Sequence, residues 1–203
     1  MGSHSQAPLN PPTTYFGYGS NLWQHQMATR CPTSTYLGIA RLPHHTWQIN
    51  TRGYANVVSA PSSSPNYTDR VYGLVYALLP PDEQQLDRNE GVPLAYTKEW
   101  IKCDFWPAGV GEKVDTGTQP RETREMLVYV DRKRTTPDVP REEYVYRMNQ
   151  GIRDALALGV PEEYVRDVMR KFIPEGDEEQ EREIGEFAKT QAARFKDESG
   201  IFE

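Results

Sequence analysis

Residues 15–21 read Tyr-Phe-Gly-Tyr-Gly-Ser-Asn, and residues 86–92 read Leu-Asp-Arg-Asn-Glu-Gly-Val. These two segments carry the residue types with the clearest chemical use. In the first, an aromatic run suited to a pleated strand stops at Gly19, which can take backbone angles closed to other residues. Ser20 and Asn21 favour turns and helix starts. A strand that stops this way exposes a row of backbone N–H groups, which can hold a carboxylate, a phosphate or a developing oxyanion. In the second, Glu83, Asp87 and Glu90 crowd towards a helix end that Gly91 terminates. A charged surface helix would read the same. Glu90 also admits a sharper reading. The negative end of the helix dipole disfavours an ionised carboxylate, and an apolar pocket would raise its pKa further. A carboxyl so tuned can act as a general base near neutral pH.

The elements that must position these residues are strands first and helices last. The hydrophobic pattern predicts strands over 14–18, 36–42, 46–50, 56–60, 71–79, 96–106 and 126–131. The run from Val71 to Leu79 is nearly all apolar, as in a strand buried on both faces. Pro80-Pro81 opens a short helix towards Glu90. A longer helix is predicted over 141–158 with Gly159 as its stop, and another over 162–172, where Val165, Val168, Met169 and Phe172 share one face. Residues 61–66 and 108–121 read as exposed loops. This order predicts an α+β domain over 14–174, with an antiparallel or mixed sheet able to curl into a barrel. Residues 1–13 are Pro-rich and are expected to be disordered or extended. Residues 175–203 hold ten acids against four bases and are read as a solvated, loosely docked helix, with an acidic docking tail as the alternative.

Composition narrows the classes of function. The chain has 203 residues, enough for one domain with a substantial core. Acids outnumber bases 29 to 23, which argues against nucleic acid as the partner. No apolar run approaches the roughly 20 residues that span a bilayer, and no secretion signal is evident, so the Asn66-Tyr67-Thr68 sequon reads as an accident. Cys31 and Cys103, with no CxxC motif, suit a reducing, cytoplasmic location.

Taken together, the YFGYGSN run, LDRNEGV and the Tyr96 beyond it resemble the gamma-glutamylcyclotransferase-like family. Tyr144, Gly151 and the Leu158-Gly159-Val160-Pro161-Glu162-Glu163-Tyr164 run are similar to that family's closing helices. The resemblance covers roughly residues 14 to 174. It implies a small mixed β-barrel flanked by helices. It also implies release of 5-oxoproline from a gamma-glutamyl compound, in which the substrate's own amino group attacks its γ-carbonyl. By the same resemblance Glu90 is the catalytic acid/base. Tyr15, Phe16, Gly17, Tyr18, Gly19, Ser20 and Asn21 form the substrate-binding loop, with Tyr96, Tyr129 and Tyr144 lining the pocket. No cofactor and no metal is implied. The partner is a small gamma-glutamyl substrate: an amino acid, an amine, glutathione, or a glutathione-derived conjugate of secondary metabolism. The reaction needs no protein nucleophile, and the sequence offers no G-x-S-x-G elbow and no metal-ligand cluster. A non-catalytic protein of the same fold, binding a gamma-glutamyl or carboxylate ligand, is the rival reading.

Other suggestive residues have plainer explanations. Adjacent His44 and His45 on a strand would point to opposite faces and could not share an ion. Tyr72, Tyr76 and Trp100 read as core or rim aromatics. Cys31, before Pro32, is expected in an exposed loop, and Arg132-Lys133-Arg134 at a solvated turn.

Overall fold

The computed structural model describes residues 11–60, 67–176 and 178–201, with residues 178–183 described by backbone alone. Most of the 1–13 segment and the whole 61–66 loop lie outside these residues. Seven strands and five α-helices are present among them: β1 (Thr13–Gly17), α1 (Gln24–Arg30), β2 (Thr35–Pro43), β3 (His45–Ile49), β4 (Ala55–Ser59), β5 (Arg70–Leu78), α2 (Pro80–Asn89), β6 (Thr97–Pro107), β7 (Glu122–Val130), α3 (Glu142–Leu158), α4 (Glu162–Asp167) and α5 (Glu178–Ala193).

Five strands close into a barrel in the order β1-β5-β2-β6-β7. Neighbours run antiparallel except at the closure, where β1 meets β7 in parallel with Tyr15 opposite Leu127. Closure leaves no barrel edge open to another chain. β3 and β4 form a separate hairpin. The fold is thus α+β, a small mixed barrel flanked by helices, as the sequence predicts. The apolar reading of β5 fits its place in the barrel wall, paired along its length with β1 and β2, with Val71, Leu74, Val75 and Leu78 fully buried. Gly73 lets β5 approach β1 closely. A Cβ there would stand 2.5 Å from the Gly17 carbonyl oxygen and 2.7 Å from the Phe16 ring.

Several expectations need correction. Residues 24–30 form α1, a helix too short to show an apolar period. The predicted 162–172 helix divides into α4 and a 3-10 turn at Met169–Lys171. Cys31 caps α1 and is buried, its thiol pushed up to about 12 chiefly by that burial. Trp100 is a rim aromatic, 52% exposed, whereas Tyr72 and Tyr76 belong to the core. Arg132 pairs with Glu99 and Arg134 with Asp131, so the basic run is largely neutralised. The 108–121 loop lies over the end of α3, where the Val114 N–H donates to the Leu158 carbonyl at 2.8 Å.

The largest difference is at the C-terminus. α5 is not loosely docked. Ala188 and Ala192 are buried, and Arg30 at the end of α1 donates to the carbonyls of Gln191 (3.0 Å) and Ala192 (2.8 Å). Beyond α5, Asp197 pairs with the buried Arg52, and the Glu198 N–H donates to Tyr54 Oη at 3.3 Å. The high charge of this segment hid its small apolar face from a compositional reading.

The close approach at Gly73 gives a direct test of the barrel. Gly73→Ala should destabilise the protein by about 1–3 kcal/mol, read from denaturant unfolding; an unchanged midpoint would show that β1 and β5 can part without cost.

Candidate active site

Glu90 sits where its sequence context puts it, at the C-terminal cap of α2. Gly91 follows with φ +62°. Its N–H donates to the Arg88 carbonyl and the Val92 N–H to the Asp87 carbonyl, the bond pair of a Schellman cap. Asn-Glu-Gly-Val is therefore a helix stop that turns one carboxylate away from its acidic neighbours. Glu83 and Asp87 stay near the surface and share Lys98. Glu90 faces a cavity.

That narrow cavity opens between the loop after β1, the end of α2, the β3–β4 hairpin and the first turns of α3. The loop forms one wall. Gly19, Ser20 and Asn21 turn through a 3-10 bend, with the Leu22 N–H on the Gly19 carbonyl and the Trp23 N–H on that of Ser20. Neighbouring elements brace it. Trp47 Nε1 donates to the Tyr18 carbonyl at 2.9 Å, and Arg147 Nη1 donates to Ser20 Oγ at 3.0 Å. Gly19 allows the closest approach: a Cβ there would lie 2.8 Å from Tyr144 Oη.

Asn21 links the loop to Glu90. Its Nδ2 donates to Glu90 Oε1 at 3.1 Å and to Tyr15 Oη at 2.8 Å, while its Oδ1 accepts from Gln26 Nε2 at 2.8 Å. The Glu90 carboxyl is raised above the ordinary carboxylate range. Burial is the main cause, opposed by the charge of Arg30, the Asn21 hydrogen bond, and the charges of Arg52 and Arg147. The α2 dipole, negative at this end, acts in the same upward direction.

Six tyrosines line the cavity, and their hydroxyls have different tasks; that of Tyr54 accepts the Glu198 N–H. Tyr18 Oη donates to the Tyr129 carbonyl (2.6 Å), Tyr96 Oη to the Ala55 carbonyl (2.7 Å) and Tyr129 Oη to Asp87 (2.7 Å). These three hold the walls together. Tyr144 Oη instead accepts two backbone N–H groups, from Ser20 and Ala55, each at 3.2 Å. Tyr15 Oη accepts from Asn21. Among the described residues neither Tyr15 nor Tyr144 has an acceptor for its own proton, so both can donate into the cavity. Burial raises both hydroxyls above the usual phenol range, which keeps them protonated.

The structure thus brings Tyr15, Tyr18, Gly19, Ser20, Asn21, Glu90, Tyr96, Tyr129 and Tyr144 to one cavity. Phe16 and Gly17 do not reach it. Alternation along β1 turns Phe16 away from Tyr15, and its fully buried ring packs under Gly73. The exposed 108–121 loop is also absent from the lining. The expected row of free loop N–H groups is reduced, since the Ser20 N–H is bound to Tyr144. Sequence reading missed Arg30, Arg147, Tyr54, Asn89 and Phe195, all on the cavity wall. Asn89 Nδ2 is buried without a hydrogen-bond partner among the described residues. Its place beside Glu90 was a usable signal; Arg30 and Phe195 had none. Among the described residues no group of three His, Cys, Asp or Glu could hold a metal ion, and no helix is long and apolar enough to cross a membrane.

Comparison with known proteins agrees with this geometry. A family model described as gamma-glutamyl cyclotransferase, AIG2-like, matches residues 15–151. No curated protein sequence matches. Among solved structures, an uncharacterized protein from Homo sapiens is similar at 22% identity and a TM-score of 0.62, covering 87% of this chain and 99% of its own. A structure named gamma-glutamyl cyclotransferase is similar at 22% identity and a TM-score of 0.61, covering 86% of this chain and 98% of its own. At these identities the likeness is one of fold. The family match spans well over half the sequence, from the first loop tyrosine to the middle of α3, and by it the chain belongs to the gamma-glutamyl cyclotransferase, AIG2-like family.

Proposed function

We propose that this protein releases 5-oxoproline from a gamma-glutamyl compound, with Glu90 as the acid/base. The observation that carries the reading is Glu90 itself: a carboxyl raised by burial, facing a walled cavity and held by Asn21 from the substrate-binding loop.

The reaction closes a five-membered ring. The α-amino nitrogen of the glutamyl group attacks the γ-carbonyl carbon, forming a C–N bond and a tetrahedral oxyanion. The bond to the departing amine then breaks. Three demands follow, and each has a residue to meet it. The substrate must be held curled so that nitrogen and carbonyl meet; the narrow cavity between the loop and α3 supports this. The ammonium must lose a proton to expose its lone pair. Glu90 accepts it and returns it to the departing amine; the second proton, shed as the nitrogen becomes the lactam N–H, follows the same route, so the amine leaves as an ammonium, and a pKa above the ordinary range suits both halves of that exchange. The oxyanion needs donors already in place. Tyr144, fixed by two backbone N–H groups, and Tyr15, fixed by Asn21, present their hydroxyl protons for this role.

Two buried, unpaired thiols are consistent with a reducing, cytoplasmic location. Incubation with gamma-glutamyl-alanine, glutathione and a glutathione S-conjugate, with mass detection of 5-oxoproline, tests the assignment and ranks the leaving groups. Release from none of them would leave a binding protein of the same fold.

Two variants test the roles. Glu90→Gln should keep the fold and abolish turnover. In the parent enzyme the acid limb of kcat/KM should fall away as pH drops through the Glu90 pKa. That limb should lie above the ~4.3 of an ordinary glutamate; a limb at or below that value would remove Glu90 as the tuned base. Tyr144→Phe should lower kcat by about 10²–10³-fold with a small change in KM, as for loss of an oxyanion donor. A KM effect alone would assign Tyr144 to binding.

A further inference from the structure

Arg30 differs from the other buried cations. It is 4% exposed and its side chain reaches the cavity wall. Arg147 meets Glu143 through two bonds, at 2.7 and 2.9 Å, and Arg52 meets Asp197. Arg30 has no such partner: among the described residues no carboxylate forms an ion pair with it. Its bonds go to neutral oxygens. Nε donates to the Ala192 carbonyl, Nη2 to the Gln191 carbonyl and Nη1 to Asn21 Oδ1 at 3.3 Å. A guanidinium has five N–H donors, so two remain. Buried charges are ordinarily paired, and an uncompensated one in a cavity marks a place for an anion. Burial, then the charge of Arg147, lowers Arg30 to about 10, so it stays a cation at neutral pH.

The nearest compensating charge is Glu90, reached through Asn21, which accepts from Arg30 and donates to Glu90. In the reaction proposed above, Glu90 becomes neutral when it takes the substrate's proton. Arg30 is then left without a counter-charge unless the substrate supplies one. A gamma-glutamyl group does so, since its α-carbon bears a free carboxylate beside the amine. With Arg30 and that carboxylate paired, the cavity is neutral before and after proton transfer.

We propose that Arg30 receives the free α-carboxylate of the substrate's glutamyl group. The proposal rests on the gamma-glutamyl reading above and makes an unblocked α-carboxylate a requirement for binding. It moves anion recognition from the loop N–H row, one of whose donors is already used by Tyr144, to a side chain of α1. The end of α5 fixes two edges of the guanidinium, and the Phe195 ring lies 5.8 Å from it. Both lie beyond the residues the family model covers.

Calorimetric titration with 5-oxoproline and with its neutral carboxamide tests this without turnover. The parent protein should bind the carboxylate about 30-fold more tightly, the scale of a charge-assisted bond. Arg30→Gln, with its fold checked by circular dichroism, should bind both ligands alike at the affinity the parent has for the amide. Arg30→Lys, a point charge without the planar fork, should retain part of the preference. No preference in the parent overturns the proposal, as does an undiminished preference in folded Arg30→Gln. If that variant does not fold, an undiminished preference in Arg30→Lys overturns it. An Arg30-dependent preference in a protein that releases no 5-oxoproline would sink the catalytic reading and leave the anion site. Turnover without that dependence would sink the anion site alone.

Discussion

The amide of Asn21 joins the two charges on which the cavity depends. One end donates to Glu90, and the other accepts from Arg30 and Gln26. Neither charge is favourable where it is, since each lies among groups that replace water poorly. Fixing both through one neutral side chain keeps them close without letting them collapse into a direct salt bridge. A direct bridge would favour the ionised carboxylate and oppose the upward shift that burial gives it. The amide preserves attraction enough to tolerate the charge and distance enough to leave it responsive.

Around that pair, the surrounding elements are bound to one another by polar groups drawn from different parts of the chain. The hairpin supplies the Ala55 N–H to Tyr144 and the Ala55 carbonyl to Tyr96. α3 supplies Tyr144 and Arg147 to the loop. β7 supplies its Tyr129 carbonyl to Tyr18 and its Tyr129 hydroxyl to α2. Each wall is tied to at least one other. The site is accordingly braced on every side, and the largely apolar barrel beneath it adds Tyr15 from β1 and Tyr129 from β7 to the cavity wall.

Much of this was legible in the sequence, and the reason is local. The stop after β1 and the Glu90-Gly91 helix end are encoded by neighbouring residues, since turn and cap geometry depends on a few consecutive side chains. The apolar run of β5 announces a buried strand for the same reason. Phe16 is misplaced because matching a motif ignores the alternation that turns every second residue of a strand away; Gly17 shares the face of Tyr15 but has no side chain, and the Tyr15 ring covers it. Arg30, Arg147 and Phe195 were invisible because their meaning lies in what they meet across the fold. A lone Arg at the end of an unremarkable heptapeptide, or a Phe in an acidic tail, has no period or motif to distinguish it. Charge composition misled most at α5, where a narrow row of alanines outweighs an abundance of surface acids.

The distances in sequence across the cavity are long. Asn21 and Glu90 are 69 residues apart, Ser20 and Tyr144 are 124 apart, and Arg30 and Ala192 are 162 apart. The barrel itself closes only when β1, near the beginning, lies beside β7. Contacts so remote each close a large loop, whose entropy the folded structure must overcome. No short stretch of the chain therefore holds the cavity's walls, which draw on residues from Tyr15 to Phe195. The cavity is thus a property of the completed topology, and a change that opened the β1–β7 seam would be felt at residues far from it in sequence.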